Sequence, residues 1–474
     1  MPLKSFLFWF SNEQSGFRFT ELESIFRVFR FDLHHYRQKK VMGPFVLMNL
    51  PSEDHALKIM SRSVLAHSCV ELWSIGDTLN ELHDNFRKNL EITEPYVDQR
   101  LSLKVETFGK TISMAEKVEL IDTFEYIPLK GPIDLKNPEL RLKLVQFYGL
   151  DPNNVPEFPI KSFFGRWIAD GQRHLMAKVS LKDRKFIGNT SMDPLLSLLM
   201  ANFALIKPND LVYDPFVGTG SILIAAAMMG GYIIGTDIDY LMLHARTRPS
   251  RARAKHRDLD ESVRANFIQY GIESQYIDIL VADASRPMIR DDIRFDAIIT
   301  DPPYGVREPT EKIGSLKSYK IKEEHVAMHI PSKIEYCLCD IICDLINNAS
   351  RRLTINGRLV FWIPVSRDTY EVEKLPSNPC FELIANCEQI LTATASRRLL
   401  VMEKIREPDE STVTIMDSTA LMYRFKFFEN DGSKTRKERK KHANQNYGKG
   451  CKRGQLLPGH TDATDVAAEV QLPS

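Results

Sequence analysis

Four apolar runs in the second half of the chain each end in an aspartate. They cover residues 211–214, ending in Asp214, 232–237 in Asp237, 276–283 in Asp283 and 295–301 in Asp301. Strand-like runs alternating with helical ones predict a parallel α/β sheet, whose ligands bind beyond the carboxyl ends of the strands. A single aspartate after a strand is an ordinary turn residue. Four in succession predict one acidic crevice.

The first run continues Asp214-Pro215-Phe216-Val217-Gly218-Thr219-Gly220 into an apolar helix expected over 221–229. Gly218 and Gly220 permit a tight strand-to-helix turn and close approach of a ligand to bare backbone. The third glycine of a dinucleotide fingerprint is missing, because position 223 is Leu, and no Lys follows to make a phosphate-binding loop. Asp237 is placed to accept hydrogen bonds from both hydroxyls of a ribose. A nucleoside without phosphates fits this pattern, S-adenosyl-L-methionine better than NAD.

Asp301-Pro302-Pro303-Tyr304 follows the fourth run directly. In isolation it reads as a proline turn; as the last of four ordered strand ends it reads as chemistry on an exocyclic amine. The lone pair of an aryl amine is delocalised into its ring and attacks poorly. The Asp301 carboxylate and the Pro302 carbonyl can accept both N–H bonds and turn the lone pair towards a methyl donor. Pro303 removes a competing donor, and Tyr304 offers a face for a flipped-out base. Positioning and electrostatics would do the catalysis, with no covalent intermediate.

The elements that must hold these residues divide the 474-residue chain into three parts. Residues 1–182 are expected to form an α+β region. Its strands fall near 3–10, 44–50, 69–75 and 101–108, with helices over 53–63 (capped by Ser52), 117–127 and 139–148, and a hairpin over 164–178 turning at Asp170-Gly171. Residues 183–422 carry the alternating α/β pattern. Residues 423–474 lose apolar content, and 434–453 concentrate lysine and arginine, so a disordered basic tail is expected. The balance of 63 Lys+Arg against 62 Asp+Glu excludes a wholly basic nucleic-acid wrapper. No run reaches the roughly 18–20 apolar residues of a membrane span, so no membrane partner is expected. Seven cysteines, thinly spread, suggest reduced thiols and a cytoplasmic setting. Cys337, Cys339 and Cys343 lack metal-ligand spacing, and Cys339 and Cys343 are read as one buried helix face, so no metal site is expected. The run Arg246, Arg248, Arg251, Arg253, Lys255 and Arg257 is either a phosphate-binding strip or a solvated face.

The glycine loop, Asp237, Asp283 and the Asp301–Tyr304 segment resemble a class I S-adenosylmethionine-dependent amino-methyltransferase. Phe164-Gly165-Arg166-Trp167-Ile168-Ala169-Asp170-Gly171, Phe186-Ile187-Gly188-Asn189-Thr190-Ser191-Met192-Asp193 and Ser396-Arg397-Arg398 extend the likeness. Over about residues 1–406 the chain resembles the eukaryotic tRNA (guanine(10)-N(2))-methyltransferase family. The resemblance implies an N-terminal THUMP-like module that binds tRNA, followed by a Rossmann-like class I methyltransferase domain with a mainly parallel seven-stranded sheet. It implies that Thr190 and Ser191 face the carboxylate of the cofactor, Asp214, Gly218 and Gly220 its amino-acid portion, and Asp283 with Ala284 its adenine. Asp301, Pro302, Pro303 and Tyr304 would then receive the guanine. Thr190 and Ser191 have a competing and compatible role, capping a helix that begins near Asp193-Pro194.

In that fold the third strand, here 276–282, forms an edge with one charge and no proline, open to strand addition. The family works with a small zinc-binding activator protein, which implies a partner for this edge. Two rival readings remain: methylation of another RNA, DNA or protein amine, and a catalytically idle RNA-binding subunit. The N-terminal module argues against a protein substrate, and the intact glycine loop and Asp301–Tyr304 segment argue against idleness.

Overall fold

The computed structural model describes residues 3–251, 255–258, 260–286, 288–290, 292–306, 308–316, 322–326 and 329–417. Arg253 of the basic run and the whole expected tail lie outside the described residues.

The first sheet contains β1 (Lys4–Phe10), β2 (Lys40–Met42), β3 (Phe45–Leu50), β4 (Ala66–Gly76), β5 (Leu101–Phe108), β6 (Leu140–Phe147) and β7 (Lys161–Asp170). Their order is β2-β3-β1-β4-β7-β6-β5, antiparallel except for the parallel β5–β6 pair. Alternation along β1 sends Phe6, Phe8 and Phe10 to the helix-covered face and Leu7 to the other. The sheet curls strongly. Phe45 on β3 lies 5.6 Å from Phe147 on β6, ring to ring, although four strand spacings in a flat sheet span roughly 19 Å. The curl buries Phe45, Phe163 and Val145 without a covering helix layer.

Two expected elements of this region are different in the structure. Residues 139–148 were expected as a helix and form β6, because Leu140, Leu142 and Leu144 pack on one face while Arg141 and Lys143 take the other. An apolar spacing of four satisfies periods of both two and 3.6, and pairing with β5 and β7 decides for the strand. The hairpin over 164–178 does not form. Its first half is β7, whose two edges are already taken by β4 and β6, so the chain turns into a short helix at His174–Lys178. The turn still needs Gly171: a Cβ there would lie 2.1 Å from the Ala66 carbonyl oxygen. Ser52 stands at the N-cap of the helix Glu53–Met60, but its hydroxyl pairs with His55 Nδ1 at 2.9 Å instead of a backbone amide.

The second sheet contains β8 (Leu211–Asp214), β9 (Tyr232–Asp237), β10 (Tyr276–Val281), β11 (Phe295–Thr300), β14 (Leu353–Ser366), β15 (Phe381–Ile390) and β16 (Ala395–Lys404). A two-stranded ribbon of β12 (Glu311–Ile313) and β13 (Lys333–Glu335) lies in the connection after β11. The order is β10-β9-β8-β11-β14-β16-β15, parallel from β10 to β14, with β16 antiparallel to both neighbours. This is the expected mainly parallel seven-stranded sheet. The helix Leu338–Arg352 packs on it through Ile342, Leu345, Ile346 and Ala349. Cys339 and Cys343 are half-buried where a buried face was expected: Cys339 packs at the margin of this core, whose centre is aliphatic.

The two sheets share one core, and the helix Pro194–Phe203 is buried along its whole length between them. Phe17 from the N-terminal region stacks 6.1 Å from Phe203 and lies 6.1 Å from Trp362 on β14. Polar groups fix the joint. Buried Glu21 accepts from the Val64 amide (2.7 Å), the Leu65 amide (3.2 Å), the Ser63 hydroxyl (2.7 Å) and Asn202 Nδ2 (3.0 Å). Arg62 donates to Asn202 Oδ1 (3.1 Å) and the Ile206 carbonyl (2.6 Å). Losing Glu21 would leave four buried donors unpaired, each costing about 1–3 kcal/mol.

Candidate active site

Pairing brings the carboxyl ends of β8, β9, β10 and β11 to one rim of the second sheet: Asp214 lies opposite Gly235, and Val281 opposite Asp237. Asp214 is 1% exposed. Its Oδ1 accepts from the Thr300 hydroxyl at 2.6 Å and the Phe216 amide at 3.0 Å. Its Oδ2 is buried with no hydrogen-bond partner among the described residues. Burial raises the Asp214 pKa to about 7, helped by the nearby charges of Asp237 and Asp301.

Asp237 holds the glycine loop. Its Oδ2 accepts from the Gly218 amide and its Oδ1 from the Asp239 amide, both at 2.9 Å, and burial raises its pKa. Gly218 (φ +52°) and Gly220 (φ +79°) both adopt the left-handed conformation. A Cβ on Gly218 would meet nothing within 4 Å, so this stretch of backbone faces open space; one on Gly220 would lie 2.7 Å from Val263 Cγ1. Gly220 leads into the helix Ser221–Met228. The Thr219 hydroxyl bonds Ser191 Oγ at 2.6 Å, and Ser191 Oγ also accepts from the Gly188 amide at 2.8 Å.

The capping role considered for Thr190 and Ser191 belongs to Asp193, whose side chain accepts from the Leu195 and Leu196 amides ahead of Pro194. An aspartate directly before Pro at N1 is the shorter reach to those amides. Thr190 instead donates to Glu308 Oε1 at 3.1 Å, across to the connection after β11.

Asp283 is buried, and both its oxygens are engaged: the Ser285 amide at 2.9 Å and the Ile313 amide on β12 at 2.7 Å. It fastens the ribbon to the end of β10, with Ala284 half-buried beside it. After β11, Asp301 Oδ1 accepts from the Tyr304 hydroxyl and Oδ2 from Arg397 Nη1 at 3.1 Å. Pro302 is buried, and Pro303 and Tyr304 are half-buried. Burial raises the Asp301 pKa, while Arg397 and the Tyr304 hydroxyl pull it down.

Hydrogen bonds and mutual charge thus join Asp214, Asp237, the glycine loop, Ser191 and Asp301, whereas the Asp283 carboxylate is spent on the ribbon. Thr300, Thr219, Glu308 and Arg397 complete the arrangement, and residue types gave none of them a partner. Arg397 belongs to the Ser396-Arg397-Arg398 motif, but its 96-residue separation from Asp301 carries no local signal. Of the basic run, Arg251 donates to the Lys182 carbonyl (2.7 Å), and Arg257 pairs with Glu261. These two cations serve the fold.

A seven-stranded sheet in this order, with acids at consecutive strand ends and a left-handed glycine loop at the first, defines a class I methyltransferase domain joined to an N-terminal α+β module. Residues 4–173 match the Tmrp11 THUMP N-terminal domain model and residues 182–320 the RMKL-like methyltransferase domain model. The chain is 45% identical over 413 residues to tRNA (guanine(10)-N(2))-methyltransferase TRMT11 of Gallus gallus, covering 86% of this chain and 89% of that one. Against the Homo sapiens protein of the same name it is 43% identical over 412 residues, covering 85% and 89%. Crystalline TrmN from Thermus thermophilus aligns at 17% identity with a TM-score of 0.41, over 85% of this chain and 100% of that one. The chain belongs to the tRNA (guanine(10)-N(2))-methyltransferase TRMT11 family.

Asp214 supplies a pH test. Its pKa rises on folding from 3.8 to about 7, so the folded chain takes up a proton and this group's contribution to stability declines as pH climbs through that window. Asp214→Asn keeps an oxygen for Thr300 and Phe216 and removes the charge. Its thermal midpoint in the ligand-free state should exceed the parent's by several degrees at about pH 8, with the gap narrowing as pH falls below about 7 and vanishing only near pH 3.8. A gap that does not change with pH would contradict the assignment.

Proposed function

We propose that this chain transfers a methyl group from S-adenosyl-L-methionine to the exocyclic 2-amino group of guanosine 10 in tRNA. The observation that carries the reading is the Asp301-Pro302-Pro303-Tyr304 turn at the end of β11, with its carboxylate fixed through both oxygens. Family membership supplies the tRNA substrate class.

The residues at the rim suit the cofactor. The unpartnered Asp214 Oδ2 suits an ammonium, the open backbone at Gly218 suits close approach, and a rim of carboxylates suits a cationic ligand. When bound, the cofactor would supply an electrophilic methyl group. Asp214, Gly218 and Gly220 would hold its amino-acid end, with the Thr190 and Ser191 hydroxyls at its carboxylate. Asp237 retains a free lone pair on each oxygen for the ribose hydroxyls, and Asp283 with Ala284 would frame the adenine.

Asp301 and the Pro302 carbonyl then accept the two N–H bonds of the guanine amine and aim its lone pair. Asp301 is also the base within reach of the proton that the amine sheds as it gains the methyl. Tyr304, tethered through its hydroxyl, presents its ring to the base. Residues 1–182 act as the tRNA-gripping module, residues 183–422 as the catalytic domain, and the cytoplasm is the setting of the reaction.

A small zinc-binding activator subunit is the proposed partner of β10. This strand is the edge of the second sheet, and Ile277 (49%), Leu280 (43%) and Val281 (41%) are exposed there. Ile279 points inward, its Cδ1 lying 2.8 Å from where a Cβ on Gly235 would sit. An uncovered apolar edge invites strand addition. Leu280→Lys should abolish co-purification with the activator and leave the lone chain folded; undiminished co-purification would remove β10 from the interface.

For the chemistry, Asp301→Ala should cut single-turnover methylation at least about a hundredfold, while cofactor affinity stays within about threefold. Asp237→Ala should reverse the pattern, weakening cofactor binding first. Near-normal turnover by Asp301→Ala would sink the amine-acceptor role, and unchanged cofactor affinity in Asp237→Ala the ribose role.

A further inference from the structure

Arg397 stands on β16, opposite Pro364 of β14 and Gln389 of β15, and its side chain is largely buried. Its guanidinium uses every edge. Nη1 donates to Asp301 Oδ2 at 3.1 Å, Nε to Gln389 Oε1 at 2.7 Å, and Nη2 to the Met192 sulfur at 3.5 Å. Its face lies 4.2 Å from the centroid of the Trp362 ring. Four separate stretches of chain therefore meet on one planar cation. Two of them bear on the reaction: Asp301 leads the amine-receiving turn, and Met192 follows Thr190 and Ser191 directly.

We propose that Arg397 is a positioning residue for methyl transfer: it fixes the Asp301 carboxylate from behind and ties it to the 190–192 segment. The inference rests on the reading of Asp301 as amine acceptor.

The geometry leaves Asp301 no freedom to rotate. Tyr304 holds one oxygen and Arg397 the other, so the remaining lone pairs point in fixed directions. A planar fork stacked on Trp362 and braced by Gln389 cannot follow the carboxylate if it swings, which a lysine could. Charge acts in the same sense. Among the described residues, the groups facing Asp301 are Arg397 from β16, Tyr304 from its own turn and the like charge of Asp214 from β8. Arg397 is the one cation among them, and it opposes burial in keeping Asp301 able to accept a proton. Met192 Sδ is a weak acceptor, so that contact aligns the 190–192 segment without competing for the charge.

The test uses the full chain with its activator, in single turnover at saturating tRNA and cofactor. Arg397→Met should slow methyl transfer about thirtyfold or more and move the acid limb of the rate–pH profile up by about one unit. Dissociation constants for tRNA and cofactor should stay within about threefold of the parent. Arg397→Lys should return the limb to its parental position and recover only part of the rate, because charge is restored without the fork. If the methionine variant does not fold, Arg397→Gln carries the same test and should show the same limb shift. A rate within threefold of the parent, or a loss with an unmoved limb and no rescue by lysine, overturns the proposal. Asp301→Asn separates the two levels. If it is inactive while Arg397→Met is active, only the role of Arg397 falls; if it is fully active, the reading of Asp301 falls with it.

Discussion

Parallel strands bring their carboxyl ends to one rim, and here that rim gathers carboxylates that burial and mutual repulsion both disfavour. Each charge is tolerated for a separate local reason. Asp237 is held by two amides, Asp301 by a tyrosine hydroxyl and an arginine, and Asp214 by a threonine hydroxyl and an amide on one oxygen. The other Asp214 oxygen has no partner among the described residues. A rim with more buried negative charge than local donors can satisfy is prepared for a positive ligand. The glycine loop, the ribbon fastened by Asp283 and the cation at Arg397 are the means of holding that charge in place.

The N-terminal module is tied to this rim through solid packing. Glu21, Arg62 and Asn202 form one buried network between the two regions, and Arg358 on β14 reaches the Ser24 hydroxyl of the N-terminal region at 3.4 Å. Breaking a buried polar joint costs more than making it contributes, because each orphaned group bears its full desolvation penalty. The two regions therefore hold a fixed spacing. Under the proposed function, a module gripping tRNA at a fixed distance from the rim would select a nucleotide by reach, with no need to read the sequence around it.

Much of the site was legible because strand ends leave a one-dimensional trace. An apolar run closed by aspartate, repeated four times, is a pattern in sequence that the parallel sheet converts into proximity. Elements with ambiguous periods were not legible: Leu140, Leu142 and Leu144 satisfy a strand and nearly satisfy a helix, and only pairing with β5 and β7 decides. The turn at Gly171 was correctly located, but whether a hairpin follows depends on which edges of β7 are free, a property of the whole sheet. The cap at Asp193 lies two residues beyond the expected Thr190-Ser191 pair, and capping geometry discriminates at that scale. Partnerships such as Asp301 with Arg397 or Asp283 with the Ile313 amide cross tens of residues and leave no local mark.

The central claim is that the rim methylates an exocyclic 2-amino group, and inosine differs from guanosine in lacking that group alone. The decisive measurement is label transfer from radiolabelled S-adenosyl-L-methionine to two tRNA transcripts, one with guanosine at position 10 and one with inosine there. The account predicts stoichiometric label in the first and none in the second, with both transcripts binding equally. Equal labelling of the inosine transcript would contradict it.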